Sequence, residues 1–514
     1  MTPRYWHTAA IASLLCSACT IGPKYQVPVA TTAPAFKELV GNDQWKMATP
    51  SDEMIKGKWW EIFGDPQLNR LEASIDINNQ NVKQAEAQFR AARALIDLQH
   101  ANYYPTIGAG PAITQSDNGN LAGKGAGGRL ASFSLPISAS WEPDLWGRVR
   151  LAVENADANA QLSAATLENV RLSAQALLAT DYFLLSATDM QEAVLQGTID
   201  AYEKNLQLTI NRFNGGVASR SDVALAQTQL SGARAQFTDL HVTRAQDEHA
   251  IAILTGQPPS AVTIPVSKIP GPPPSIPVVV PSQLLERRPD IATSERQVAA
   301  ANANVGIAQT AYYPTLTLSA SAGFAATDLE NLFKWGARTW SAGPSLSQTL
   351  FDFGRRGATV QNVEATYDAT VAGYRETVLA AFQEVEDDLA ALRYLAEEQA
   401  QQAEAVAAAE QSLALELDRY KAGTDSYLNV ITTQTILLTD QQNAVTILQR
   451  RMSAAVDLVK AVGGGWNIKN LPSNDQMRSS ALADAKNMQN IAQPPDLRVA
   501  QPTGPAAPPA AVAQ

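Results

Sequence analysis

The sequence predicts a mainly α-helical fold that is built from two structural repeats and carries strands of a transmembrane β-barrel. Three observations lead to this prediction. The 514-residue chain repeats its motifs about 207 to 209 residues apart, long stretches lack proline, and shorter stretches alternate apolar with polar residues. The repeat affects every later assignment, because overlooking one misassigns the whole fold.

Matching motifs follow the same order in both halves of the chain. Tyr-Tyr-Pro-Thr occurs twice, and Leu-Trp-Gly-Arg corresponds to Asp-Phe-Gly-Arg. The matched segments are residues 103–106 with 312–315, 145–148 with 352–355, 212–216 with 419–423, and 227–230 with 434–437. Ordered matches of this kind indicate a duplication, so the two halves should fold alike.

Each repeat contains one very long predicted helix, at residues 147–213 and 354–420. Neither stretch contains proline, and apolar residues of the second recur every three or four positions, as in a coiled-coil seam. At about 1.5 Å per residue, each helix would be about 100 Å long. Asp144 and Asp352 are predicted to cap these helices, because a carboxylate accepts the free N–H groups of a first turn.

The other elements are shorter, and end to end the two shorter helices of a repeat would match its long helix. For the first repeat (66–255), we expect a helix at 66–101, strands at about 106–115 and 130–141, and a helix at 218–255. For the second repeat (284–466), we expect a helix at 290–311, strands at about 315–324 and 339–351, and a helix at 426–462. A proline-rich linker (256–283) joins the repeats, and residues 467–514 are predicted to be a disordered tail.

The predicted strands have the length and polarity of strands in a membrane barrel. Apolar residues from Phe133 to Trp141 alternate with serines, and residues 315–324 alternate in the same way. Barrel strands of about 9 to 11 residues direct apolar side chains to lipid and polar ones to the lumen. Pro136 and Pro344 lie inside the second strand of each repeat, where we expect local bends. An exposed periplasmic hairpin is the alternative interpretation.

The strand count implies oligomerisation. One chain supplies four strands, whereas the smallest outer-membrane barrels have about eight, so two copies would give eight strands and three would give twelve. No window approaches the ~18 apolar residues of a membrane-spanning helix. The net charge of -11 argues against nucleic acid as a partner, because such binding rests on neutralising phosphates.

The first 18 residues indicate an export signal. Arg4 supplies positive charge, an apolar core follows, and Ser17 and Ala18 are small residues before a cleavage point. The segment resembles a bacterial lipoprotein signal with Cys19 as the acylated residue, although Cys16 stands where such motifs usually carry leucine. Residues 19–65 would then form a lipid-anchored N-terminal segment. The alternative is an ordinary cleaved signal with an incidental cysteine.

Further motifs make the chain, up to about Trp466, resemble the outer membrane factor (TolC-like) family, in its lipoprotein branch of multidrug efflux channels (NodT-type). They are residues 19–25, Trp59-Trp60 with Phe63, and residues 287–291. The resemblance implies a homotrimer with a twelve-stranded barrel in the outer membrane and an α-helical periplasmic tunnel. It also implies docking to a periplasmic adaptor (membrane fusion) protein and to an inner-membrane efflux transporter of the resistance-nodulation-division class. Such a duct passively conducts drugs or other small toxic compounds.

The resemblance also implies a gate where the paired helices turn at the inner end of the tunnel. Asp222 would bond Tyr420 to hold the coiled coils shut, and Leu428 would constrict the pore. The positions that most often carry aspartates in the family are Asn429 and Thr432 here, and Asp425 is a candidate replacement. Because a carboxylate ring favours cations, neutral residues would weaken that preference. Additional candidates for the closing network are Arg212, Arg220 and Arg419, whose alternative role is to face solvent.

No catalytic or metal-binding pattern stands out elsewhere in the sequence. Asp247-Glu248-His249 lacks the second histidine of a zinc helix motif, and Gly123-Lys124 does not have the spacing of a phosphate loop. We therefore expect neither enzyme activity nor a metal or cofactor. Two other functions remain open, namely a type I protein-secretion duct of the same fold and a non-conducting structural envelope lipoprotein.

Overall fold

The structure is a computed structural model that describes residues 21–39, 57–117, 129–276 and 281–478. The chain divides into a first compact unit that ends at Leu471 and a second that begins at Pro472. Among the helices in these ranges, none is both long enough and apolar enough to span a membrane.

Both repeats contain a long helix and shorter ones. The helices of the first repeat are α1 (Pro66–Asn78), α2 (Gln80–Ala101), α3 (Arg148–Asn214) and α4 (Arg220–Leu254). Those of the second are α5 (Pro281–Arg287), α6 (Pro289–Thr310), α7 (Arg355–Ala422) and α8 (Tyr427–Ala461). With 67 and 68 residues, α3 and α7 are each about 100 Å long.

The two long helices begin in the same way. Gly147 and Gly354 precede them with φ values of 80° and 86°, in the left-handed region that glycine adopts without strain. The Asp144 carboxylate accepts the backbone N–H groups of Val149 and Arg150 at 2.9 and 2.8 Å. Asp352 similarly accepts the backbone N–H groups of Gly354 and Arg356, each at 3.2 Å. Both aspartates therefore satisfy first-turn donors, although glycine occupies the N-cap position itself.

The predicted first helix is divided at Asn79. This residue has φ -60° and ψ 125°, and its side chain accepts the N–H groups of Asn81 and Val82 to start α2. Its amide nitrogen donates to the Leu254 carbonyl at 2.8 Å, so the end of α4 meets the start of α2. In the second repeat, Arg288 donates to the Ala461 carbonyl at 3.0 Å, which joins the end of α8 to the start of α6. The shorter helices therefore meet end to end in both repeats.

The strands form one open antiparallel sheet. They are β1 (Thr106–Ala109), β2 (Ala112–Asp117), β3 (Arg129–Trp141), β4 (Thr315–Ala326) and β5 (Arg338–Ser347). The order is β1-β3-β4-β5, and β2 also pairs with β3. The register pairs Ile137 with Ala322 and Ser138 with Ser321, so apolar and polar residues keep to separate faces across the strands.

Two predicted strands differ from those observed. The stretch at 106–115 is divided into β1 and β2, because Gly110 and Pro111 leave the ladder opposite Pro136. On the other side, Pro136 lies against Gly323, where a Cβ atom would approach the Leu135 carbonyl oxygen to 2.2 Å. The stretch at 339–351 stops at Ser347.

A large buried cluster lies where the helix ends meet. Trp59 is fully buried, and its indole N–H donates to Gln175 at 3.3 Å. Phe63 packs against Phe183 with 5.1 Å between ring centroids. Asp65 caps α1 and also accepts the Tyr182 hydroxyl at 2.7 Å. The motif at residues 59–65 therefore fixes the start of α1 against the middle of α3.

Parts of the predicted tail and of the predicted linker pack in the folded structure. The expected disordered tail starts too early at 467, because Ile468–Asn470 form a 3-10 turn and Ile468 and Leu471 pack beside Trp466. In the linker, Ile264, Ile269 and Ile276 are buried. In the second unit, residues 474–478 are helical. Residues 479–514 lie outside the described part of the chain.

Candidate functional site

The candidate gate lies at two helix hairpins. Between α3 and α4, Gly215 and Gly216 turn the chain, and the Arg212 carbonyl accepts the Val217 N–H at 2.9 Å. Between α7 and α8, Gly423 turns with φ 79°, and the Arg419 carbonyl accepts the Thr424 N–H at 3.0 Å. The two turns close by the same pattern, as the sequence matches predicted.

Arg212 links the two hairpins of one chain. Its guanidinium lies 4.6 Å from the centroid of the Tyr420 ring, a cation–π contact. Its Nη1 also donates to the Lys421 carbonyl at 2.8 Å. Arg212 of the first hairpin therefore contacts both the Tyr420 ring and the Lys421 backbone of the second hairpin.

Tyr420 is almost fully buried at this junction. It is 3% exposed, and its hydroxyl donates to Thr209 Oγ1 at 3.4 Å. The predicted bond to Asp222 is not made within the described chain. Asp222 instead forms a capping box, in which its carboxylate accepts the Ser219 N–H at 2.9 Å and its own N–H donates to Ser219 Oγ at 3.1 Å. A capping box fits Asp222 because it is the third residue of α4.

Tyr427 belongs to the same cluster, although the sequence analysis missed it. Its ring centroid is 5.2 Å from that of Tyr420, and it is 2% exposed. Burial, followed by the nearby Tyr420 and Tyr202 phenols, raises the pKa of Tyr427 to about 12. A tyrosine at the first position of a helix gives no sequence signal for burial, so only the packing reveals it.

Asp425 is tied into its own turn. One carboxylate oxygen accepts the Ser426 N–H at 2.7 Å and the Asn429 amide at 2.6 Å, and the other lies 3.2 Å from Arg419 Nη2. The Ser426 N–H, ahead of the Asn429 and Arg419 contacts, lowers the pKa of Asp425 below its usual value. Asn429 and Arg419 both hold this carboxylate, and Arg419 also binds Glu416 through Nη1 at 3.2 Å.

The remaining candidates lie on surfaces that one chain leaves uncovered. Leu428 is 59% exposed. Thr432, one turn later, donates its hydroxyl to the Leu428 carbonyl at 3.0 Å and is also exposed. Arg220 is exposed in the first turn of α4. Cys19 lies outside the described residues, and the described residues contain no group of His, Cys, Asp and Glu able to hold a metal ion.

Comparisons with known proteins agree with this architecture. A model of the family described as outer membrane efflux protein matches residues 73–257 and 280–464. The chain is 30% identical to the probable efflux pump outer membrane protein TtgC of Pseudomonas putida over 470 residues, which are 91% of this chain and 97% of that protein. The solved outer-membrane channel OprN is similar with a TM-score of 0.81 at 27% identity, covering 87% of this chain and 100% of that one. The open state of the MtrE outer membrane channel of Neisseria gonorrhoeae gives a TM-score of 0.75 at 26% identity, covering 88% and 99%.

The family match includes nearly all of both repeats, and so includes the two hairpins of the candidate gate. The similarity to TtgC extends over almost the whole chain. The chain therefore belongs to the outer membrane efflux protein family, and it is an outer-membrane efflux channel.

Proposed function

We propose that three copies of this chain form the exit duct of a tripartite efflux pump. The three open sheets close into one twelve-stranded barrel in the outer membrane, and the long helices line a tunnel through the periplasm. Drugs or other small toxic compounds pass through passively, because the chain performs no chemistry on them.

The open sheet is the observation that carries this proposal. Its edge strands, β1 with β2 on one side and β5 on the other, each pair with a single neighbour. Unpaired backbone groups cannot face lipid, so a membrane sheet must close. Four strand positions per chain are too few for one barrel, whereas three chains give twelve.

The helix tips are proposed to close the inner end of the duct. Arg212 and Tyr420 hold the two hairpins of each chain together, with Thr209 and Tyr427 completing the cluster. Leu428 and Thr432, exposed in one chain, would narrow the pore where three copies meet. Because Asn429 and Thr432 are neutral and Asp425 lies 3.2 Å from Arg419 Nη2, we expect weaker cation preference than a ring of free carboxylates would give.

The partners follow from the same proposal. A passive duct depends on other proteins to deliver its cargo, and we propose a periplasmic adaptor and an inner-membrane transporter of the resistance-nodulation-division class, as the family resemblance implies. The relative TtgC is named as an efflux pump component, which supports this assignment. Acylation at Cys19 would anchor each chain to the outer membrane, and residues 21–39 would fix that anchor to the helices, since Phe36 packs on Phe382 and the Lys37 N–H donates to Glu386 at 2.7 Å.

Conductance across planar lipid bilayers tests the proposal. The purified protein should insert and give discrete current steps that stay small while the tips are closed. Stable insertion without any current, even for variants that loosen the tips, would instead support a structural envelope lipoprotein.

A further inference from the structure

Each repeat places an aromatic residue immediately before the glycine that starts its long helix. In the first repeat this residue is Trp146, and in the second it is Phe353. The Trp146 ring lies 5.1 Å from the Tyr313 ring, and its indole N–H donates to the Pro314 carbonyl at 2.7 Å. The segment that follows the last strand of the first repeat therefore packs on the Tyr-Tyr-Pro turn that precedes the first strand of the second repeat.

Phe353 has no such partner within the described chain. It is 91% exposed, and its nearest ring, Phe351, is itself 74% exposed and lies 4.4 Å away. Its φ of 52° is the one positive value outside glycine among the described residues. The segment is also shorter here, because one residue separates Asp352 from Gly354, whereas two separate Asp144 from Gly147. A bulky exposed side chain held in this costly conformation calls for a role.

The matching turn of the first repeat is also uncovered. Tyr104 corresponds to Tyr313 and is 63% exposed. Other contacts at these turns do repeat within each half. Trp141 donates to the Tyr103 carbonyl at 2.9 Å, and Gln348 donates to the Tyr312 carbonyl at 3.2 Å. The repeats are therefore equivalent here, except that the junction made by Trp146 has no counterpart among the described residues of one chain.

We propose that Phe353 packs on the Tyr104-Pro105 turn of the next copy of this chain. This rests on the proposed ring of three chains. The contact between repeats within a chain, Trp146 on Tyr313, then alternates around the ring with a contact between chains, Phe353 on Tyr104. The interface is head-to-tail, because a different surface of each copy takes part, and such interfaces close into rings.

The contact places β5 of one copy beside β1 of the next. The same junction buries Leu350, which is 89% exposed in one chain, and Phe351. Phenylalanine lacks the indole N–H that Trp146 uses, so the carbonyl of Pro105 has no donor from Phe353. Replacing Phe353 with tryptophan should supply one and tighten the trimer.

Cross-linking between two differently tagged chains tests the junction. One chain carries Tyr104→Cys and the other Phe353→Cys, and both are co-expressed and treated with a short bismaleimide. We expect a cross-linked dimer that contains both tags, with no such product from the parent, whose cysteines are Cys16 and Cys19. The matched control is one chain carrying Trp146→Cys and Tyr313→Cys, which should cross-link internally and stay a monomer on a denaturing gel.

The outcomes separate this inference from the proposed function. If the parent is a trimer by native mass spectrometry but the mixed chains do not cross-link, the junction is wrong and the duct stands. Cross-linking of Phe353→Cys chains with one another would indicate a two-fold contact and also overturn it. A monomeric parent would remove both proposals.

Trimer dissociation provides a second test that does not need cysteines. Phe353→Asp should weaken the trimer by about thirtyfold or more, as expected for the loss of a buried aromatic anchor, while Phe353→Trp should strengthen it. Phe333→Asp is the control, because Phe333 is 70% exposed and lies in the connection between β4 and β5, whereas Phe353 follows the far end of β5. Equal effects of the two aspartate variants, or weakening by Phe353→Trp, would contradict the inference.

Discussion

At the scale of single residues, Arg212 is the side chain on which the proposed gate depends most. It makes a cation–π contact with Tyr420 and a hydrogen bond to the Lys421 carbonyl. Tyr420, in contrast, keeps its ring packed on Tyr427 even without its hydroxyl, whose bond to Thr209 is long at 3.4 Å. We therefore expect the guanidinium to matter more than the phenol.

Arg212→Met should loosen the helix tips. The substitution keeps an apolar stem but removes both contacts, which together are worth about 1–2 kcal/mol at a partly exposed site. Closed-state conductance in planar bilayers should rise by about tenfold for Arg212→Met. It should rise by less for Tyr420→Phe. Arg220→Met removes an exposed arginine from the same region and should leave conductance unchanged. Equal conductance of the two methionine variants would exclude Arg212 from the gate.

Of the described residues, Glu72 has the least favourable environment for a charged side chain. It is 0% exposed, and neither carboxylate oxygen has a hydrogen-bond partner among the described residues. Burial, followed by the neighbouring Asp76 carboxylate, raises the pKa of Glu72 from 4.5 to about 9. The unfolded chain loses this proton near pH 4.5 and the folded chain keeps it until near pH 9, so stability falls as pH rises between these values.

Glu72→Gln should remove this pH dependence. The difference in unfolding free energy between variant and parent should be smallest below pH 4.5 and grow in favour of the variant by up to about 1.4 kcal/mol per pH unit above it. Thermal unfolding in detergent from pH 4 to pH 9 measures the trend. The exposed Glu404→Gln serves as control and should follow the parent. A constant difference across the pH range would show that Glu72 ionises normally.

The sequence was least informative about the contacts that single side chains make. Asp222 was assigned to Tyr420 through a resemblance, yet its position three residues after Ser219 already favoured a capping box. The burial of Tyr427 depends on α3, whose Thr209 and Tyr202 lie more than 200 residues earlier. No local pattern reports such a distant contact.

At the scale of elements, the pairing of β3 with β4 depends on Gly323. Any side chain there would meet the Leu135 carbonyl and Pro136 across the strand. Gly343, in β5, has open space where its Cβ would lie. Gly323 and Gly343 of the same sheet therefore differ in whether they tolerate an added side chain.

Gly323→Ala should destabilise the folded protein by about 1–3 kcal/mol, the usual cost of overpacking, whereas Gly343→Ala should be nearly neutral. The midpoint of thermal unfolding in detergent, followed by the circular dichroism of the sheet and helices, checks both. If both variants unfold at the parent's temperature, the close approach of Pro136 to Gly323 is not a constraint.

The presence of the helices and strands could be predicted better than the positions at which they are interrupted. Absence of proline over residues 147–213 and 354–420, together with the apolar spacing of the second stretch, predicted α3 and α7. The break at Asn79 could not be predicted, because asparagine is tolerated inside helices. Here its side-chain oxygen caps α2 by accepting the N–H groups of Asn81 and Val82, while its amide nitrogen binds the distant Leu254 carbonyl. Gly110-Pro111 does carry a local turn signal, which explains the division of β1 from β2.

At the scale of the whole molecule, the duplication predicted most of the architecture. Equivalent motifs imply equivalent contacts, and Asn79 with Leu254 and Arg288 with Ala461 follow that rule. Trp146 on Tyr313 is the contact whose equivalent has to be sought outside the chain. The open sheet and the uncovered Phe353 both require a neighbouring copy, and the sequence alone could not say how many copies take part.

Single-particle electron microscopy of the protein, purified from outer membranes in mild detergent, tests the central claim most directly. We predict a three-fold tube in which about 100 Å of helices joins a ring of twelve strands, with Phe353 of each copy against the Tyr104 turn of the next. A monomer, a two-fold particle or a solid rod without a central channel would contradict the account.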